Sequence, residues 1–145
     1  MITPLKQIIN KAQRGKYAVG AFNTSNLEIT LAIVRAAVKT KSPVILQTSE
    51  SAIKYSSLPA LFGIMTNVAN TIGKSVPIAI HLDHGKHFPL IKDCIKIGYD
   101  SVHIDASDQN YSANIKQTKK IVSLAYKKRV WVQAELGAIL GAEGM

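Results

Sequence analysis

The segment His81-Leu-Asp-His-Gly-Lys-His87 holds three of the four histidines in the chain. Imidazoles and carboxylates are the side chains that ligate divalent metals and move protons near neutral pH. Residues three apart share one face of a helix but face opposite sides of a strand. This segment follows an apolar run and is broken by Gly85, so it reads as a strand end. At most one or two of its histidines then point into a common site. His84, just past the strand end and beside Asp83, is the best candidate ligand. His81 lies inside the strand and reads as a satisfied core histidine. His87 and His103 have no supporting partner in the sequence and read as surface or packing residues.

Two further acids stand in comparable places. Asp105 follows Val102-His-Ile104, and Glu135 follows the run from Val130 to Ala134. Each alone can be a helix cap, a surface charge or a functional acid. Four acids and histidines at the ends of three successive strands point to a metal or acid/base site. A divalent cation would reconcile carboxylates whose mutual repulsion otherwise raises their pKa values. Ser49 lacks the glycine-flanked elbow of a hydrolase nucleophile, so it reads as a substrate contact or a helix cap. Cys94 lies on an apolar helical stretch and reads as buried and inert. The glycine-rich tail from Gly137 to Gly144 lacks the lysine and hydroxyl of a P-loop and carries Glu143 as its only ionisable group.

The elements that must position these residues alternate in kind. Leu5, Ile8, Ile9 and Ala12 have helical spacing, so residues 5–14 are expected to form a helix stopped by Gly15. Further helices are expected over 26–40, 58–73, 89–98 and 112–128. Between them lie short apolar runs at 17–22, 43–47, 77–82, 101–104 and 130–134, which read as buried strands. Strands apolar on both faces, separated by helices, imply a parallel sheet covered by helices. Asn23, Ser49, Asp83 with His84, Asp105 and Glu135 each fall at or just after the end of a different strand. That is the edge where sites assemble in α/β proteins.

Composition removes other classes. With 47% hydrophobic and 19% charged residues in 145, the chain is neither disordered nor fibrous and suits one domain. It has no apolar run long enough to span a membrane, and Met1-Ile-Thr-Pro-Leu-Lys6 has none of the features of a secretory signal. A single cysteine forms no internal disulfide, which fits a cytoplasmic chain. The formal charge of +9 would suit an anionic partner. The basic residues are scattered, however, with one dense cluster at Lys127-Lys128-Arg129, so no nucleic acid is expected as partner.

In order along the chain come Ala21-Phe-Asn23 with Asn26-Leu-Glu28, Pro43-Val-Ile-Leu-Gln-Thr-Ser49, His81-Leu-Asp-His-Gly85, Ser101-Val-His-Ile-Asp-Ala-Ser107 and Gln133-Ala-Glu-Leu-Gly137. This series resembles the class II, metal-dependent fructose-bisphosphate aldolases and their tagatose-bisphosphate relatives, over nearly the whole chain. The resemblance implies a (β/α)8 TIM barrel, of which the chain covers about the first five β/α units. It implies zinc-dependent aldol cleavage of fructose 1,6-bisphosphate to dihydroxyacetone phosphate and glyceraldehyde 3-phosphate. Asp83 would be the proton donor to the aldehyde oxygen in the condensation direction. His84 would bind the catalytic Zn2+, and Asp105 and Glu135 would hold a second divalent metal position. Ser49 and Asn23 would contact substrate, and Glu143 would be a loop base. The implied partners are phosphorylated ketoses and trioses, and a second copy of the complete protein in a homodimer.

Two departures accompany the resemblance. The family's Gly-Gly-x-Glu-Asp loop is replaced by Leu140-Gly-Ala-Glu-Gly144, and Lys86-His87 replace small residues. A complete barrel needs about 250 residues. Two further zinc-ligand histidines and the phosphate loops have no counterpart here, so residues 1–145 are expected to be the N-terminal part of a single barrel domain. The alternatives are a tagatose-bisphosphate aldolase, or a non-catalytic half-barrel that needs a C-terminal partner.

Overall fold

Strands and helices alternate along residues 1–137, which the computed structural model describes. The helices are α1 (Leu5–Gly15), α2 (Leu27–Thr40), α3 (Glu50–Ser56), α4 (Leu58–Thr71), α5 (Phe88–Ile97) and α6 (Tyr111–Tyr126). The strands are β1 (Gly20–Asn23), β2 (Val44–Thr48), β3 (Ile78–Gly85), β4 (Ser101–Ile104) and β5 (Trp131–Ala134). All pair in parallel, in the order β1-β2-β3-β4-β5. Sequential parallel strands joined by helices are the arrangement of the first five units of a TIM barrel. Among the described residues no helix is long and apolar enough to cross a membrane.

The main core lies between the sheet and the later helices. Leu46, Ile80, Leu82 and Val102 on the strands meet Leu61 and Ile121 on the helices, all at most 1% exposed. The other face carries a smaller cluster in which Ile8 of α1 packs with Ile45 and Ala79. Caps set the helix starts. Asn26 Oδ1 accepts from the Ile29 N–H, and Asn110 Oδ1 from the Ala113 N–H, both at 2.9 Å.

The expected elements are present, with three differences. The buried strand read at 17–22 is instead Gly20–Asn23, and it is exposed, with Phe22 52% accessible. Lys16 adopts a left-handed conformation (φ 54°), and the Lys16 and Tyr17 N–H groups bond back to Gln13 and Ala12, so Tyr17–Val19 form the exit loop of α1. Among the described residues β1 lies at the sheet edge with β2 as its one strand neighbour, which leaves its residues uncovered. Helix α3 was absent from the sequence pattern: Glu-Ser-Ala-Ile-Lys-Tyr-Ser is too short for a clear period. Finally, β3 runs to Gly85, so Asp83 and His84 lie within the strand and not past its end.

Candidate metal centre

The end of β3 is irregular, and the site depends on that. His81 pairs with Ser101 and Leu82 with Val102, but the next pair is Gly85 with Ile104. β3 therefore spends three residues where β4 spends two, which is a bulge. His84 takes up the extra residue with φ 46°, a conformation that disfavours side chains. The bulge suspends the alternation that would send Asp83 and His84 to opposite faces. Both side chains reach the same mouth, with His84 Nε2 4.0 Å from Asp83 Oδ1. Gly85 is needed next to them because a Cβ there would come within 2.7 Å of the His103 carbonyl oxygen.

Asp83 is held by amides from two other strands. Asn23 Nδ2 donates to Oδ2 at 2.9 Å, and Gln47 Nε2 donates to Oδ1 at 3.2 Å. The sequence places Asn23 in this pocket. In the sequence Gln47 reads as one polar residue in an apolar strand, and its role becomes visible only in the fold.

His84 turns the other way. Its Nδ1 lies 3.2 Å from Asp105 Oδ2 and 3.6 Å from Glu135 Oε2. Donor atoms of His84, Asp105 and Glu135 all fall within 4.8 Å of one another. Burial alone would raise the Asp105 carboxyl. Hydrogen bonds from the Ser107 hydroxyl (2.6 Å) and backbone N–H (3.2 Å), with His84 and Lys86 nearby, bring it down to about 2. Asp105 is thus an anion at neutral pH, with the Lys86 ammonium 3.8 Å away. Asn114 fixes the approach of Glu135, donating from Nδ2 to the Ala106 and Glu135 carbonyls at 2.9 and 2.8 Å. An imidazole and two carboxylates converging in this way are a donor set that fits a divalent cation.

The other histidines sort differently. His81 is a satisfied core histidine, as its strand position implies. It is 4% exposed, its Nδ1 is 2.7 Å from Ser101 Oγ, and burial pushes its pKa down to about 4. His87 is on the surface as expected, but it has a partner. Glu50 accepts hydrogen bonds from the Lys86 and His87 backbone N–H groups at 2.8 Å and also contacts the His87 ring. The reading of His103 as lacking a partner is corrected. It is 2% exposed, its ring centroid is 4.6 Å from that of His84, and its Nε2 is 3.3 Å from Glu135 Oε2. Burial, with His84 beside it, lowers its pKa against the pull of Glu135, Asp105 and Asp83, so the ring is neutral at pH 7. The missed signal was its place on β4 two residues before Asp105; its partner on β5 is 32 residues away in sequence and contacts it only in the fold.

Ser49 caps α3, accepting from the Ala52 N–H at 3.2 Å, and its hydroxyl is 2.8 Å from that of Ser51. It lines a shallow depression together with Asn23. Cys94 is fully buried and its thiol is pushed up to about 12 by burial, as an inert core residue should be. Glu143 and its loop lie outside the described residues.

Known proteins resemble this chain over nearly its whole length. The family model described as fructose-bisphosphate aldolase class-II matches residues 3–145. The fructose-bisphosphate aldolase of Geobacillus stearothermophilus is 43% identical over 143 residues, covering 98% of this chain and 50% of that protein. That of Streptococcus pneumoniae serotype 4 is 41% identical, covering 98% of this chain and 48% of its own length. Among solved structures, the YdjI aldolase from Escherichia coli K12 superposes with a TM-score of 0.87 at 30% identity, covering 94% of this chain and 53% of that one. The fructose-bisphosphate aldolase of Campylobacter jejuni, at 21% identity, shares the fold with a TM-score of 0.84 over 97% of this chain and 47% of its own. The chain therefore belongs to the class II fructose-bisphosphate aldolase family. It spans about half the length of the curated relatives it matches.

Proposed function

We propose that residues 1–145 form the N-terminal part of a single aldolase barrel domain, a zinc-dependent lyase that cleaves fructose 1,6-bisphosphate reversibly. The products are dihydroxyacetone phosphate and glyceraldehyde 3-phosphate, the glycolytic reaction. The observation that carries this reading is the division of labour at the end of β3. His84 faces Asp105 and Glu135, whereas both oxygens of its neighbour Asp83 accept amide hydrogens.

His84 would hold the catalytic zinc, and Asp105 and Glu135 would hold the second divalent position. Zinc at such a site supplies Lewis-acid polarisation of a ketone carbonyl. Asp83 gives its proton to the aldehyde oxygen during condensation and takes one from the corresponding hydroxyl during cleavage. The Asn23 and Gln47 amides fix the direction in which that carboxyl points. Asn23 and Ser49, on the shared depression, contact the substrate. A homodimer of the complete protein and a cytoplasmic location rest on family membership alone.

The test is complementation. Residues 1–145 are expressed alone and with a separately expressed C-terminal half carrying the remaining β/α units. Zinc content and fructose 1,6-bisphosphate cleavage are then measured. We expect no turnover from the chain alone and turnover with bound zinc from the pair. Full activity without the partner contradicts the incomplete-barrel reading, and absence of both zinc and rescue contradicts the aldolase site.

A further inference from the structure

One buried ring stands between two members of the cluster. His103 on β4 accepts a hydrogen bond at Nδ1 from the backbone N–H of His84, at 3.3 Å. Its Nε2 has no hydrogen-bond partner among the described residues and lies 3.3 Å from Glu135 Oε2.

Two roles compete for this ring. Asp83, His84 and His103 also offer donor atoms within 4.8 Å of one another, which would make His103 a metal ligand; because Nδ1 is engaged by the His84 N–H, Nε2 is the nitrogen left to ligate. A ligating Nε2 must present a lone pair, which leaves the ring hydrogen on Nδ1. Metal-bound histidines normally donate that hydrogen to a carboxylate or carbonyl. Here Nδ1 faces an N–H group, which is itself a donor, and two hydrogens cannot share the contact. The lone pair is therefore on Nδ1 and the hydrogen on Nε2. An Nε2–H cannot ligate a metal, and a buried donor needs an acceptor. The Glu135 carboxylate is the acceptor within reach.

We propose that His103 is a positioning residue for the metal site: its Nε2–H holds the Glu135 carboxylate in place. The left-handed residue of β3 would thereby set the position of the acid on β5 through one ring on β4. The proposal rests on the reading of Glu135 as a metal-binding acid, but its first test does not involve metal.

Residues 1–145 are labelled with 15N-histidine, and two-bond 1H–15N correlations of His103 are recorded without metal. The expected pattern is the Nε2–H tautomer, unchanged on addition of Zn2+. An Nδ1–H tautomer, or a shift of Nε2 to a metal-bound position with zinc, overturns the proposal. If zinc does not bind residues 1–145, which lack two of the expected zinc ligands, the aldolase-site reading is decided by the complementing pair of halves, and the metal-free tautomer still decides this one. Zinc affinity is then measured by chelator competition in His103→Met and His103→Gln. Losing the donor should weaken binding about 10–100-fold in His103→Met. His103→Gln, whose amide can still donate, should recover most of it. Equal affinity in all three proteins, with folding verified by circular dichroism, contradicts the positioning role.

Discussion

The two ends of the sheet treat charge in opposite ways. At the starting ends of the strands two charged groups, Asp100 and the Met1 ammonium, are matched to backbone. The Asp100 carboxylate accepts from the Ile80 N–H at 2.9 Å, and the Met1 ammonium donates to the carbonyls of Gly73 and Val76. Thr3 N–H and Met1 carbonyl extend that edge by pairing with Ile78. At the finishing ends of β3, β4 and β5, three carboxylates and two histidines crowd one mouth instead. There the strand pairing slips, His84 adopts a disfavoured conformation, and a buried imidazole nitrogen lacks a hydrogen bond among the described residues. One end spends its polar groups on closing the structure. The other gathers them at one mouth with their donor atoms converging, the separation expected between the faces of a TIM barrel.

That contrast can be broken most forcefully at Gly85. Gly85→Ala should destabilise the chain by about 1–3 kcal/mol, because its Cβ must push the His103 carbonyl or the bulge aside. Gly63→Ala, on an exposed face of α4 with nothing within 4 Å, should instead stabilise by about 0.5–1 kcal/mol. Urea denaturation of both variants reads the difference, and an equal response at the two positions removes the claim that the bulge is tightly specified.

A smaller effect is expected from the amides that hold Asp83. In a complete barrel, Gln47→Leu and Asn23→Leu should each lower kcat about tenfold, the loss of roughly one hydrogen bond to a charged group, with zinc content unchanged. Steady-state kinetics with metal analysis checks this. Loss of zinc in either variant would move Asp83 from positioned acid to ligand.

The smallest effect concerns the starting end. Burial raises the Asp100 carboxyl to about 6 against the Ile80 hydrogen bond, so its contribution to stability is full below about pH 4 and is lost as pH rises through 6. Burial lowers His81 to about 4, so its contribution is full above pH 6.5 and is lost as pH falls through 4. The two oppose each other over the same window. Asp100→Asn should therefore melt with a steeper decline than the wild type as pH falls from 6.5 to 4, by a few degrees. Parallel pH profiles from thermal melts would show that Asp100 carries no such linkage.

Much of the site was legible because Asp83, His84, Asp105 and Glu135 each close an apolar run, and strand ends can be read from a sequence. What was not legible depended on contacts across strands. The bulge that brings Asp83 and His84 to one mouth is a mismatch between β3 and β4, and no local pattern in His-Leu-Asp-His-Gly announces it. Gln47, His103 and Asn114 acquire their roles from partners 36, 32 and 21 residues away. The edge position of β1 likewise came from pairing, since Tyr17–Phe22 is as apolar as the buried strands.

The central claim is that adjacent residues on one bulge do different work: His84 holds metal and Asp83 moves a proton. Zinc content and turnover of Asp83→Ala and His84→Ala in a complete barrel test it directly. The account predicts that Asp83→Ala keeps its zinc while kcat falls about 10²–10⁴-fold, and that His84→Ala loses both. Equal loss of zinc in the two variants would contradict it.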